Sequence, residues 1–154
     1  MAEKMTIEKA AELLGQGFHC SQVVMWHTAE ALGMDKAQAL KISAGLGGGC
    51  FHGDVCGTVS AAILSIGLAY GYSEPYAAAQ NAAMVEKINE LEKRFAEKNG
   101  SIVCRELLGG KSFSNPDDAA EIMGGGLTGI LKNCPTYCAD ACEILDDMLK
   151  DHMK

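Results

Sequence analysis

The chain has 154 residues, with 13 basic and 20 acidic side chains giving a net charge of −7. That length fits one domain able to bury a core without disulfides, and the acidic balance excludes nucleic acid and anionic membrane surfaces as partners. Hydrophobic residues at 48% and charged residues at 21% exclude wholesale disorder.

Thr6 is placed to cap a first helix whose apolar stripe is Ile7, Ala10, Ala11 and Leu14, stopping near Gly15 and Gly17. A second helix starts at His19 or Cys20 and runs to about Gly33, and Asp35 caps a third that fades at Gly45. Gly45–Asp54, reading GLGGGCFHGD, then forms a loop with five glycines. Glycine reaches backbone conformations closed to other residues, so another group can approach the main chain there. Gly47, Gly48 and Gly49, with Gly57 just beyond, are the candidate cofactor-facing positions.

A fourth helix follows Asp54 and is apolar all round. The uncharged run from Val55 to Ser73 approaches the roughly 20 residues of a membrane span, but Gly57, Thr58, Ser60, Ser65, Gly67 and Gly71 dilute it. A buried central helix is the expectation. Ser73 is placed to cap a fifth helix, with Pro75 in its first turn and a buried stripe of Met84, Ile88, Leu91 and Phe95. Glu90 with Arg94 decorates its solvated face, and Gly100 ends it. Short helices follow Ser101 and Asn115-Pro116, and the last runs from Asn133-Cys134-Pro135 toward the C-terminus. No alternating strand pattern occurs. The sequence therefore predicts an all-α fold: one domain over residues 1–154, a multi-helix bundle with the glycine-rich loop next to a cysteine cluster.

Common motifs fail on context. Gly124-x-Gly126-x-x-Gly129 has the letters of a dinucleotide fingerprint but follows a helix, and Gly110-Lys111-Ser112 lacks the earlier glycine of a phosphate loop. There is no C-x-x-C, so a zinc ribbon and a thioredoxin-type dithiol are unsupported.

The seven cysteines carry the chemistry. The opening MAEKMTIEKAAELL is charged, unlike a secretory signal. That points to the reducing cytoplasm, where cysteines serve metal or redox work more than structural disulfides. Cys20, Cys56, Cys104 and Cys134 all fall at predicted helix N-termini, where unpaired amides and the helix dipole favour the thiolate. Thiolate is the form that binds metal and attacks disulfides. Cys138 and Cys142 lie on one face of the last helix with Leu145 and Leu149, as small core residues or reserve ligands. Cys50 sits in the glycine loop near His52, as an extra ligand, a resolving thiol or a plain loop residue. His19 and His52 adjoin cysteines, His27 sits on an apolar stripe as a hydrogen-bonded core histidine, and His152 belongs to an exposed tail.

These residues resemble the C_GCAxxG_C_C family of redox-active proteins, in which a lone cysteine, a C-G-A-x-x-G motif and two further cysteines follow one another. Here they are Cys20 in HCSQVV, Cys56 in CGTVSAAILSIGL, Cys104 in CRELLG, and Cys134 ahead of an acidic helix ending ACEILDDML. The resemblance spans about residues 7 to 150. Thr58 stands where the motif has alanine, and Ala61 where it has its last glycine. The resemblance implies a helical protein with redox-active or cluster-binding cysteines, related to a domain of certain haem and iron–sulfur proteins; it supplies no established reaction.

Three functions follow as expectations. In the first, Cys20, Cys56, Cys104 and Cys134 bind an iron–sulfur cluster for electron transfer with a redox partner protein. In the second, a low-pKa Cys56 attacks a disulfide or peroxide and a neighbour, such as Cys50, resolves it. In the third, the protein is non-catalytic, a zinc-binding or helical partner, with a homodimer through small-residue faces as one form.

Overall fold

The structure, a computed structural model, describes residues 3–154. Polar side chains start three of its helices. Thr6 Oγ1 accepts from the Lys9 amide at 3.0 Å to open α1 (Ile7–Gly15). Asp35 does the same for the Gln38 amide at the head of α3 (Lys36–Ser43), and Asn115 for Asp117 and Asp118 at the head of α7 (Pro116–Gly124). The remaining helices are α2 (Cys20–Thr28), α4 (Gly57–Tyr70), α5 (Ala78–Asn99), the single turn α6 (Cys104–Leu107), and α8 (Cys134–Met148). No strand occurs among the described residues, so the all-α expectation holds.

Two of the longer helices have boundaries that differ from the sequence reading. The second helix stops at Thr28 and continues only as a 3₁₀ turn, Glu30–Leu32, before Gly33 leaves it with φ of 88°. Ser73 caps nothing: α5 begins at Ala78, preceded by Tyr76 with φ of 60°. Pro75 disfavours helical geometry at Glu74, so the helix starts only after this turn.

The apolar helix α4 lies at the centre, against α2, α5 and α8, while α1 covers α8 and α3 covers α2. Val59, Ala61, Ala62 and Ile66 of α4 are fully buried with Val23, Val24 and Met25 of α2, Leu91 and Phe95 of α5, and Leu145 of α8. No helix among the described residues is long and apolar enough to cross a membrane. Helix α2 is also tied by polar groups on three sides. Ser21 Oγ donates to the Ser43 carbonyl at 2.6 Å, Thr28 meets Ser65 of α4 at 2.8 Å, and His27 Nε2 meets Asp146 of α8 at 2.8 Å. Leaving one of these buried partners unpaired would cost about 1–3 kcal/mol, which fixes α2 in register with its neighbours.

Between α3 and α4 the chain makes one left-handed turn. Gly48, Gly49, Cys50 and Phe51 have φ of 62°, 63°, 57° and 59°. A side-chain-bearing residue pays roughly 1–2 kcal/mol in this conformation. Exposed Cys50 can therefore be relieved by glycine. Allowing for the greater unfolded-state freedom of glycine, Cys50→Gly is expected to stabilise the fold by about 0.5–1 kcal/mol, raising Tm by about 1–4 °C in a thermal melt. A lower Tm would mean that the Cys50 side chain holds something in place.

Candidate functional site

Two cysteines are placed by a single piece of β-like pairing. Val55 and Val103 form an isolated antiparallel bridge. Around it the Cys56 amide donates to the Ile102 carbonyl, and the Cys104 amide to the Asp54 carbonyl, each at 2.7 Å. Each cysteine follows one member of the bridge and begins a helix: Cys56 is the N-cap of α4, and Cys104 is the first residue of α6. Cys20 and Cys134 are the first residues of α2 and α8. The expected placement at four helix N-termini holds, with Val103 in the N-cap position that the sequence assigned to Ser101. Ser101 instead accepts from the Val103 amide and donates to Glu106, bracing the turn.

These four N-termini face one cavity of about 360 Å³. Cys20, Cys56, Cys104 and Cys134 all line it, among leucines, phenylalanines, Thr58, Tyr137 and His19, and no Asp, Glu, Lys or Arg does so. Cys56 and Cys104 are buried, Cys20 and Cys134 half-buried. Cys50 is exposed on the left-handed turn and is not among the lining residues; His52 beside it is exposed. Cys138 and Cys142 are fully buried in the core, as their helical spacing predicted. Cys138 Sγ points at the Cys20 carbonyl, 3.8 Å away, so it supports the site from behind.

The glycines bring protein groups together. A Cβ at Gly57 would lie 2.6 Å from Cys20 Sγ and 2.9 Å from the Leu46 carbonyl oxygen, so Cys20 packs directly on the α4 backbone. At Gly47 it would meet the His19 ring, at Gly48 the Phe113 ring, and at Gly49 the backbone of Asp54. Gly48 is the one glycine of these four that lines the cavity.

The thiols do not ionise alike. Cys56 is lowered to about 7, first by the hydrogen bond from the Cys20 thiol, then against burial by Thr58, whose Oγ1 lies 3.2 Å from its sulfur, and by backbone amides at the start of α4. Cys20 is raised, by giving that hydrogen bond and by burial. Burial pushes Cys104 and Cys134 up to about 12, helped by the negative charge on Cys56. The sequence reading that all four N-termini favour thiolate is thus corrected for three of them. For Cys104 and Cys134 removal from water outweighs the helix dipole, which is weakest in the one-turn α6; for Cys20 the hydrogen bond to Cys56 comes first and burial second.

Thr58 is a cavity residue that sequence reasoning did not propose for the site, noting it as a polar interruption of the apolar run and as a departure from a motif alanine. Its position two residues after a helix-capping cysteine was the available signal. Replacing it with alanine removes a group that favours the charged form, so the Cys56 pKa moves upward. An ultraviolet thiolate titration of the metal-free protein is expected to show one thiolate with a midpoint near 7, absent in Cys56→Ser and shifted to higher pH in Thr58→Ala. An unmoved midpoint in Thr58→Ala would remove the hydroxyl from the account.

The model of a family described as "Putative redox-active protein (C_GCAxxG_C_C)" matches residues 18–148. The chain belongs to this family. The C_GCAxxG_C_C match begins after α1 and takes in all four cavity cysteines. A search of curated proteins and one of solved structures each returned no match.

Proposed function

We propose that the protein is an electron-transfer protein whose Cys20, Cys56, Cys104 and Cys134 hold an iron–sulfur cluster, serving a redox partner protein in a reducing compartment such as the cytoplasm. The observation that carries this reading is the convergence of four cysteines, from four separate stretches of chain, on one uncharged cavity. Four thiolates are the donor set of the common clusters, and apolar surroundings tune their potential.

Zinc is the other group that four cysteines could hold. A structural zinc draws three or four donors to about 2.3 Å from one point. Among the described residues no three His, Cys, Asp or Glu side chains are grouped to hold one metal ion. A cluster instead distributes its protein ligands over several irons. When bound, such a group supplies one-electron transfer.

The chain's own residues do the rest. Cys56 is the thiol ready to ligate at neutral pH, and a positive centre would reverse the penalty that holds Cys104 and Cys134 neutral. The Val55–Val103 bridge keeps Cys56 and Cys104 side by side, and the leucine and phenylalanine walls exclude water. Protein isolated without oxygen is expected to absorb visible light in a band that bleaches on reduction and returns on oxidation. Cys134→Ser should lack the band, and its persistence in that variant would remove Cys134 from the ligand set.

A second reading has one specific observation behind it. Cys20 and Cys56 are neighbouring cavity thiols shifted in opposite directions, as attacking and resolving members of a dithiol would be. In that reading the resolving thiol is Cys20 in place of Cys50.

A further inference from the structure

We propose that the outer part of the four-cysteine cavity binds a flat, uncharged ring of the quinone class and exchanges electrons with it; this rests on the redox reading above. The cavity, at about 360 Å³, falls in the range of small-molecule pockets. No charged side chain lines it. A nucleotide, a glutathione or a dinucleotide would bring phosphates or carboxylates in with no Lys or Arg to offset their desolvation. An uncharged ring pays no such penalty.

The mouth is built for a ring. Phe51 stands edge-on between His19, with centroids 5.2 Å apart, and Phe113, at 6.2 Å. It is held there by the left-handed turn, at a backbone cost that an ordinary loop would avoid. Phe51 and Met123 are 40% and 64% exposed although both line the cavity, so apolar surface is left facing solvent at its entrance. His19 and Tyr137, with Thr58 beside Cys56, are the polar side chains of the wall besides the cysteines, and His19 and Tyr137 carry donors for ring carbonyl oxygens. A few polar groups in an apolar cleft is the usual form of a small-molecule site.

The chemistry balances. Reduction of a quinone to its hydroquinone takes two electrons and two protons. A one-electron centre gives one electron at a time, so two reduced protein molecules each give one, or the redox partner protein reduces the same centre again between the two transfers; solvent gives the protons. If Cys20 and Cys56 react as free thiols, they supply both electrons and both protons, and a disulfide bond forms between them.

Tetramethyl-1,4-benzoquinone is the probe, because every ring carbon next to its carbonyls is substituted and thiols have no open position to add to. Binding to the full-length, anaerobically isolated protein is measured by equilibrium dialysis, and electron exchange by loss of quinone absorbance on mixing with the reduced protein. Saturable binding and reduction are expected. Leu131→Glu, in the wall, and Met123→Glu, exposed at the mouth and so harmless to folding, should raise Kd about 10-fold or more by placing a charge against the ring. The visible spectrum and thiol titration of Met123→Glu, the solvent-facing variant, should stay as in the parent. No saturable binding by a parent protein that still oxidises and reduces reversibly would overturn the quinone site and leave the redox reading standing. Binding unweakened by both variants would overturn it equally. Binding without electron exchange, in protein with no reversible redox signal, would defeat the redox reading and with it the exchange proposed here.

Discussion

Serine in place of Cys56 is expected to lower the apparent affinity for iron by about 100-fold or more, with the helical fold intact. Loss of mere supporting groups around a metal already costs about 10–100-fold, and Cys56 is proposed as a ligand itself. It is the cavity thiol nearest to ionisation at neutral pH, hence the natural first point of attachment. Serine is also a preferred N-cap, which is the position Cys56 occupies at the head of α4. Loss of metal therefore cannot be laid to loss of the helix. Cys50→Ser is the control: its side chain is exposed on the left-handed turn and does not line the cavity. Iron analysis and circular dichroism on the two variants check this, and equal iron in both would place the metal elsewhere.

Gly57→Ala is expected to damage the site through packing alone. The added carbon would fall 2.6 Å from Cys20 Sγ, 2.9 Å from the Leu46 oxygen and 3.1 Å from Gly47 Cα. Two of these neighbours are backbone, so the sulfur must yield. Overpacking costs about 1–3 kcal/mol, partly offset because alanine favours a helix over glycine by up to about 1 kcal/mol. The net loss is about 1–2 kcal/mol, or about 2–8 °C in Tm for a chain of this size. Displacing Cys20 also removes the hydrogen bond that lowers Cys56, so the thiolate midpoint rises. A variant with parental Tm and parental midpoint would show that Cys20 does not rest on the α4 backbone.

The helices were legible because their signals are local. Thr6, Asp35 and Asn115 cap where expected, and Leu91 and Phe95 are buried as their spacing required. The convergence of the four cysteines could be anticipated from their common position at helix starts. The means of convergence could not. The Val55–Val103 bridge joins distant stretches with no strand pattern around them. The left-handed turn requires Cys50 and Phe51 to follow two glycines into a conformation their side chains resist. The thiol pKa values depend on which sulfurs become neighbours and how much water each loses, which spacing along the chain does not encode.

Cys20, Cys56, Cys104 and Cys134 are proposed to hold one iron–sulfur cluster between them, and the decisive measurement is iron, zinc and acid-labile sulfide per chain on protein made and purified without oxygen. Iron and sulfide in near-equal amounts, with little zinc, and both lost from the Cys104→Ser variant, are predicted. Zinc without sulfide, or metal-free protein that takes up neither iron nor sulfide on reconstitution, would contradict it.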